Sequence, residues 1–354
     1  MSFRHQAVFA LILAGAALSP AAQQSPAVAQ TPATAPSLTV DRDPVRSPDA
    51  ERPAPPAVRK EGEGYLLHTD VEEVDLNCTV LEAKEPVPDL KKEDFEVLED
   101  GVPQTLISFL HTDLPVSIAL VVDNSGSMST KRRSVNKSTL DLIQASNPQD
   151  EAFVVNFSDE AFIDQDFTSD VSKLREGLSH IEARGGTALY DAVAASADHL
   201  ASDAKHSKQV LILITDGDDN ASSISQDQAI HRVQQLSGPV IYSIGLLFGD
   251  EDMSHSEVKE ARKALEMLST ETGGMAFFPK NIEEVDQIAA EVARDIRNQY
   301  VLGYHSTKPS TEPGFRRVEV TAKARHHGKL NVRTRTGYFP AARLVRQNAF
   351  PERH

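Results

Sequence analysis

The chain has one cysteine, Cys78, in 354 residues, and no tryptophan. A lone cysteine excludes a disulfide framework and any cysteine-based zinc or iron–sulfur centre within one chain. Positive charge is also scarce. Lys and Arg number 36 against 52 Asp and Glu, giving a formal net charge of −16. That balance argues against nucleic acid as the main partner, because phosphate binding draws on a Lys/Arg excess. Long apolar runs are missing too. The uncharged run at residues 7–18 is short of the roughly 20 residues that a membrane-crossing helix needs. The 12 histidines are scattered without metal-ligand spacing. What is present is ordinary for a globular chain: 40% hydrophobic and 25% charged residues, at a length that suggests about two domains.

The charge is unevenly placed. Residues 64–298 hold 19 Lys/Arg against 43 Asp/Glu, and residues 299–354 hold 11 against 3. An acidic body and a basic end therefore need separate explanations. Arg4, the apolar run 7–18 and the small residues after it read as a secretory signal over 1–22, with cleavage as late as residue 29. The expectation is an exported chain, periplasmic or secreted, with no transmembrane segment once processed. Residues 20–57 hold 9 of the 20 prolines and 9 alanines. Such a stretch cannot bury a core and favours extended conformations, so 23–63 is expected to be a disordered tether.

The body divides in three. Residues 64–112 look β-rich. Residues 74–80 alternate apolar and polar, which puts Cys78 on a buried strand face, and Asp100-Gly101 between 95–98 and 106–109 signals a hairpin. Residues 115–298 alternate strand-like runs (116–122, 153–157, 210–214, 240–247 and 275–278) with helical stretches (131–146, 170–182, 188–204, 225–236, 256–271 and 282–297). Continuous apolar strands between helices predict an α/β fold with a doubly wound, mainly parallel sheet. An extra strand fits within 157–167 at the sheet's edge. Residues 299–339 return to strands, at 300–304 and as a hairpin of 317–324 with 330–336 around His326-His327-Gly328-Lys329. Each flank is small for an independent core, so the two are expected to join into one β-sandwich-like domain with the α/β layer inserted. Residues 340–354 are expected to be a tail.

The chemistry gathers at strand ends. The first α/β strand ends in Asp123-Asn124-Ser125-Gly126-Ser127-Met128. Thr187 lies in Gly185-Gly186-Thr187, and Asp216 follows the strand at 210–214 in Thr215-Asp216-Gly217. In open α/β sheets ligands bind outside the carboxyl ends of the strands. Two carboxylates and three hydroxyls there make an oxygen-only set, suited to Mg²⁺, Mn²⁺ or Ca²⁺ rather than zinc or copper. Asp218, Asp219 and the acidic stretch Gly249-Asp250-Glu251-Asp252 lie close in sequence to these strand ends and are candidates for an outer shell or a second cation.

Asp123-x-Ser125-x-Ser127, Thr187 and Asp216 together resemble the five-part metal-ion-dependent adhesion site of von Willebrand factor type A (vWA) domains. The flanks around Leu90–Gly101 and Gly337-Tyr338-Phe339 are similar to exported vWA-related proteins common in Acidobacteria. The resemblance implies a Rossmann-like vWA fold over 115–298. It implies that Ser125, Ser127 and Thr187 ligate Mg²⁺ directly, with Asp123 and Asp216 ligating directly or through water. A Glu or Asp carboxylate of a protein partner would complete the shell, in a binding module rather than an enzyme. It also implies that the helix at 282–297 shifts on ligand engagement, here pulling on the strand at 300–304. Two alternatives stand beside this reading. A Mg²⁺-dependent phosphohydrolase would use Asp123, but Ser125 stands where a second acid should act as general acid/base. A metal-independent scaffold of an envelope assembly would need no cation at all.

Overall fold

The computed structural model describes residues 39–40, 73–144, 147–180, 184–217, 219–236, 238–248 and 254–340. The expected signal segment, the tether apart from residues 39–40, the tail from 341, Asp218 and the acidic stretch 249–252 lie outside them.

In chain order, β1 (Thr39–Val40), β2 (Glu73–Glu82), β3 (Glu85–Pro86), β4 (Phe95–Glu99), β5 (Val102–Gln104) and β6 (Leu106–Leu110) come first. An alternating stretch follows: β7 (Val116–Asp123), α1 (Arg132–Gln144), β8 (Glu151–Phe157), β9 (Ala161–Thr168), α2 (Val171–Ser179) and α3 (Leu189–Asp203). It continues through β10 (Lys208–Thr215), α4 (Gln226–Gln235), β11 (Val240–Gly245), α5 (His255–Thr272), β12 (Ala276–Phe277) and α6 (Glu284–Arg297). The last strands are β13 (Tyr300–His305), β14 (Arg316–Ala322), β15 (Leu330–Arg333) and β16 (Gly337–Tyr338).

The alternating stretch forms one sheet in the order β1-β9-β8-β7-β10-β11-β12. Its pairs are parallel except β8 with β9. This is the Rossmann-like, doubly wound fold expected from the alternation. β7 is buried along its whole length, and its side chains divide by parity. Val116, Ile118, Leu120 and Val122 join the core beneath α1, α2 and α6, while Ala119 and Val121 join the core beneath α3, α4 and α5. A strand covered on both faces is apolar along most of its length, which is why β7 reads as a continuous run from Ile118 to Val122. The extra strand expected within 157–167 is β9, but it is not the outermost strand. Thr39 and Val40, within the expected tether, pair with Phe162 and Ile163 beyond it.

The strands before and after this layer pair with each other. β13 runs antiparallel to β2, with Tyr300 opposite Cys78, and to β6, with Val301 opposite Leu110. The chain thus leaves the β-layer at Leu110 and re-enters it on the neighbouring strand. Two small sheets, β15-β2-β13-β6 and β16-β14-β4-β5, share one apolar core built from Val74, Leu76, Cys78, Val97, Tyr300 and Leu302 among others. Cys78 is fully buried, and burial pushes its thiol up to about 12, so it behaves as a small apolar group.

Two expected pairings differ. The Asp100-Gly101 hairpin joins β4 to β5, not to residues 106–109. Asp100 (φ +49°) and Gly101 (φ +80°) supply the two positive-φ positions of a tight two-residue turn, so the return strand starts at once at Val102. β6 departs to the other sheet. Likewise β14 and β15 are not a hairpin. β14 pairs with β4 and β16, and β15 pairs with β2. The 326–329 stretch crosses between sheets. His327 anchors it, with Nδ1 2.8 Å from Glu82 Oε2 and Nε2 3.0 Å from Asp89 Oδ1.

Where the layers meet, α6 supplies the buried Asp295. Its Oδ2 accepts from Tyr242 Oη on β11 (2.5 Å) and from Arg333 Nη2 on β15, and Thr79 Oγ1 on β2 lies at 3.5 Å. Gln299 Nε2 donates to the same tyrosine oxygen at 3.1 Å. Lys208 Nζ donates to the Ile296 carbonyl. The C-terminal end of α6 is therefore tied to both layers.

Candidate metal centre

β7 and β10 are neighbours in register, with Val122 opposite Ile214. Their carboxyl ends therefore place Asp123 and Asp216 side by side. The chain runs outward from β7 to β8 on one side and from β10 to β11 on the other, so these ends flank the point where the strand order reverses. Such a point leaves a crevice between diverging loops.

Asp123 is the last residue of β7 and is fully buried. Its Oδ1 accepts from the Ser125 backbone N–H at 2.7 Å, and its Oδ2 accepts from Thr215 Oγ1 at 2.5 Å. Burial pushes this carboxyl above the ordinary aspartate value. The hydrogen bonds from Thr215 and Ser125 oppose the rise, and the charge of Asp216 adds to it. After Ser125 the chain turns through a short 3₁₀ segment, Gly126–Thr130, into α1. That turn sets Ser125 Oγ 3.1 Å from Ser127 Oγ. Ser127 Oγ in turn donates to Asp216 Oδ1 at 2.8 Å. Ser127 is exposed, whereas Ser125 and Asp216 are buried, so the cluster opens to solvent through Ser127.

Thr187 comes from a third loop. Its backbone N–H donates to Asn220 Oδ1 at 2.8 Å, and its carbonyl accepts from the Asn220 and Ala221 N–H groups. Its hydroxyl lies beside Gly217, 3.5 Å from where a Cβ on that glycine would be. Gly185 precedes it at φ +83°, with a would-be Cβ only 2.2 Å from the Asp159 carboxylate. Glycine suits the left-handed backbone there. The structure therefore brings Asp123, Ser125, Ser127 and Asp216 into one hydrogen-bonded chain, with Thr187 placed beside Gly217 at the same edge.

Asp219, considered for an outer shell, is held at the start of α3. Its Oδ1 accepts from the Leu189 N–H and from Ser222 Oγ, which satisfies the first turn of α3 just after Thr187. Among the described residues, no group of three or more His, Cys, Asp or Glu side chains is arranged to hold a metal ion. Any cation here would rest on hydroxyls as well as on the two carboxylates. The donor set fits a hard divalent ion: every side-chain donor is oxygen, and with the Ser127 proton on Asp216 and the Ser125 proton on Ser127, one Ser127 lone pair stays open to a ligand.

Sequence reasoning missed two residues. Lys131 Nζ lies 2.7 Å from Asp216 Oδ2, with both side chains largely buried, and donates to the Leu246 carbonyl at 3.3 Å. Arg132 is completely buried and donates to the side-chain oxygens of Asn124 (3.5 Å), Asn136 (3.0 Å) and Asn156. A signal was available. Two cations at the first turn of a helix oppose its dipole, which favours anions there. That pattern asks for a carboxylate supplied from elsewhere.

Residues 118–218 match the family model described as the von Willebrand factor type A domain. Inter-alpha-trypsin inhibitor heavy chain H4 of Homo sapiens is 26% identical over 178 residues, which cover 47% of this chain and 18% of that protein. The chain thus spans less than a fifth of that relative's length. A solved von Willebrand factor type A protein from Catenulispora acidiphila aligns with 15% identity and a TM-score of 0.44 over 75% of this chain and 73% of that one. Proximal thread matrix protein 1 of the mussel byssus, solved with a zinc-occupied metal-ion-dependent adhesion site, aligns with 19% identity and a TM-score of 0.43 over 57% and 50%. Among the described residues, no helix is long and apolar enough to cross a membrane.

Proposed function

We propose that this chain, which carries a von Willebrand factor type A domain, is an exported binding module that holds Mg²⁺ at the β7–β10 edge and captures an acidic group of a protein partner. Asp123, Ser125, Ser127, Thr187 and Asp216 would hold the ion, with Mn²⁺ or Ca²⁺ as possible substitutes. The observation that supports this reading best is the hydrogen-bonded run from the Asp123 carboxylate through the Ser125 N–H and the Ser125 and Ser127 hydroxyls to Asp216, exposed to solvent at Ser127.

When bound, the ion supplies a positive centre for a partner carboxylate. The protein's own groups do the rest. Thr215 and the Ser125 N–H fix the orientation of the Asp123 carboxylate. Hydroxyl donors neutralise little of a 2+ charge, so the edge stays attractive to an external anion. The Asn220 side chain pins the Thr187 loop against the same edge.

Calorimetric titration of Mg²⁺ into the wild type and into Asp123→Asn tests the site. The wild type should bind one equivalent, and the variant should not. Equal binding by both would show that the ion sits elsewhere. Partner capture is tested by recovery from envelope fractions in Mg²⁺ against EDTA; capture that persists in EDTA would favour the metal-independent scaffold. A phosphatase assay on the same two proteins addresses the enzymatic alternative, which metal-dependent turnover lost in Asp123→Asn would support.

A further inference from the structure

We propose that Lys131 and Arg132 are built-in counter-ions of this site, that they hold its intrinsic cation affinity low, and that they make the cation and an acidic ligand bind cooperatively. This rests on the metal-site reading above.

The two residues are adjacent in sequence, yet they are held apart: Lys131 pairs with Asp216, and Arg132 donates to asparagine side chains. Lys131 reaches Asp216 across 85 residues and makes an ion pair of 2.7 Å with Oδ2. Both Asp216 oxygens are then engaged, since Oδ1 accepts from Ser127. The ammonium is not free to swing away. It also donates to the Leu246 carbonyl and lies 5.5 Å over the Phe248 ring, both just past β11. Arg132 lies on the other side, buried behind Asn124. The charges of Asp123 and Asp164 support it there, and although burial pulls it down to about 10, it remains a cation at neutral pH.

Lys131 offsets the charge of Asp216, and Arg132 stands between Asp123 and Asp164. A divalent ion arriving there meets less negative charge than two unpaired carboxylates would offer, and it binds more weakly for that reason. Once bound, it adds two positive charges to that edge. An anionic ligand then gains from the metal and from both side chains together. Coupling of this kind is reciprocal: whatever factor the metal adds to the anion's affinity, the anion adds to the metal's.

The test is calorimetry of Mg²⁺ and Mn²⁺ on the full chain, in acetate and in chloride at equal ionic strength. The wild type, Lys131→Met and Lys131→Arg are compared. Wild type and Lys131→Arg should bind the metal more tightly in acetate than in chloride. Lys131→Met should bind it roughly tenfold more tightly than wild type in chloride, with the acetate dependence reduced. Thermal melts in EDTA give a second reading that needs no metal. Lys131→Met should melt lower than wild type, because Asp216 loses its partner, and Mg²⁺ should restore more of its stability than it adds to wild type. Equal or weaker metal binding by a folded Lys131→Met would overturn the inference and leave the metal site standing. Should Lys131→Met not fold, Lys131→Arg decides: an acetate dependence absent from it and from wild type overturns the coupling. A wild type that binds no metal would remove the underlying reading instead.

Discussion

Two buried acidic centres in this molecule are built in opposite ways. Glu99, in the β-layer, is almost fully enclosed. It accepts from Tyr304 Oη (2.7 Å), Tyr338 Oη (2.9 Å) and Ser306 Oγ (2.6 Å), with Arg316 Nη1 3.8 Å away. The surroundings of Glu99 push the Tyr338 phenol up to about 12, mainly through burial, so it stays a neutral donor. That centre is closed on every side. The Asp123–Asp216 pair is equally buried but is linked through the exposed Ser127. A closed polar cluster specifies how strands from distant parts of the chain come together. An open one keeps unused lone pairs at the surface for a ligand. The same residue chemistry thus serves architecture in one layer and binding in the other.

The largest expected effect separates these roles. Glu99→Ala should lose about 3–5 kcal/mol in urea unfolding, because it removes the buried carboxylate that three hydroxyls and Arg316 share. Asp123→Asn, unfolded in EDTA, should lose no more than about 1 kcal/mol, since the amide keeps an acceptor for Thr215 and gives up one hydrogen bond, that from the Ser125 N–H. Comparable losses in both variants would erase the distinction between a closed and an open centre.

Next comes metal affinity. Asp216→Asn should weaken Mg²⁺ binding by roughly 100-fold, since it removes a unit charge close to the ion. Wild-type affinity measured by calorimetry would take Asp216 out of the site. At the junction, Asp295→Asn should cost about 1–3 kcal/mol, because Arg333 and Tyr242 lose a charged acceptor. It should also raise hydrogen exchange at the end of α6 and in β13. Unchanged protection there would argue against α6 as a link between the layers. Ser127→Ala should weaken Mg²⁺ by about tenfold and leave the melting temperature near that of wild type.

The smallest effect is pH dependence in the β-layer. The hydrogen bond to Glu82, and then that to Asp89, raises His327 above the ordinary histidine value. A raised folded-state value means that the stability it adds is complete below about 6.5 and fades as pH rises through the folded value. The melting-temperature difference between wild type and His327→Gln should therefore shrink from mildly acidic toward alkaline pH. A difference that grows with pH would reverse the assignment.

Much of the α/β layer was legible because its signals are local. A strand covered on both faces is apolar along most of its length, a helix on a sheet shows a stripe, and these periods are written in neighbouring residues. The five oxygen residues were legible for a related reason: Asp123, Ser125, Ser127 and Asp216 sit at or just past a strand end, and Thr187 lies just before α3. The flanking strands were harder. The 95–109 and 317–336 stretches suggested hairpins, but β6 and β15 each join the other sheet. Alternation tells which face of a strand is buried but not which strand lies beside it.

The sequence by itself determined the alternation, the strand-end acids and hydroxyls, and the burial of Cys78, all of which depend on residues a few positions apart. Only the tertiary structure decided that Asp216 pairs with Lys131, that Arg132 backs Asp123, and that Asp295 meets Arg333 and Tyr242. A charged side chain carries no period that names its partner. In Lys131 the sequence shows a cation at a helix start, and folding brings it to a carboxylate 85 residues away.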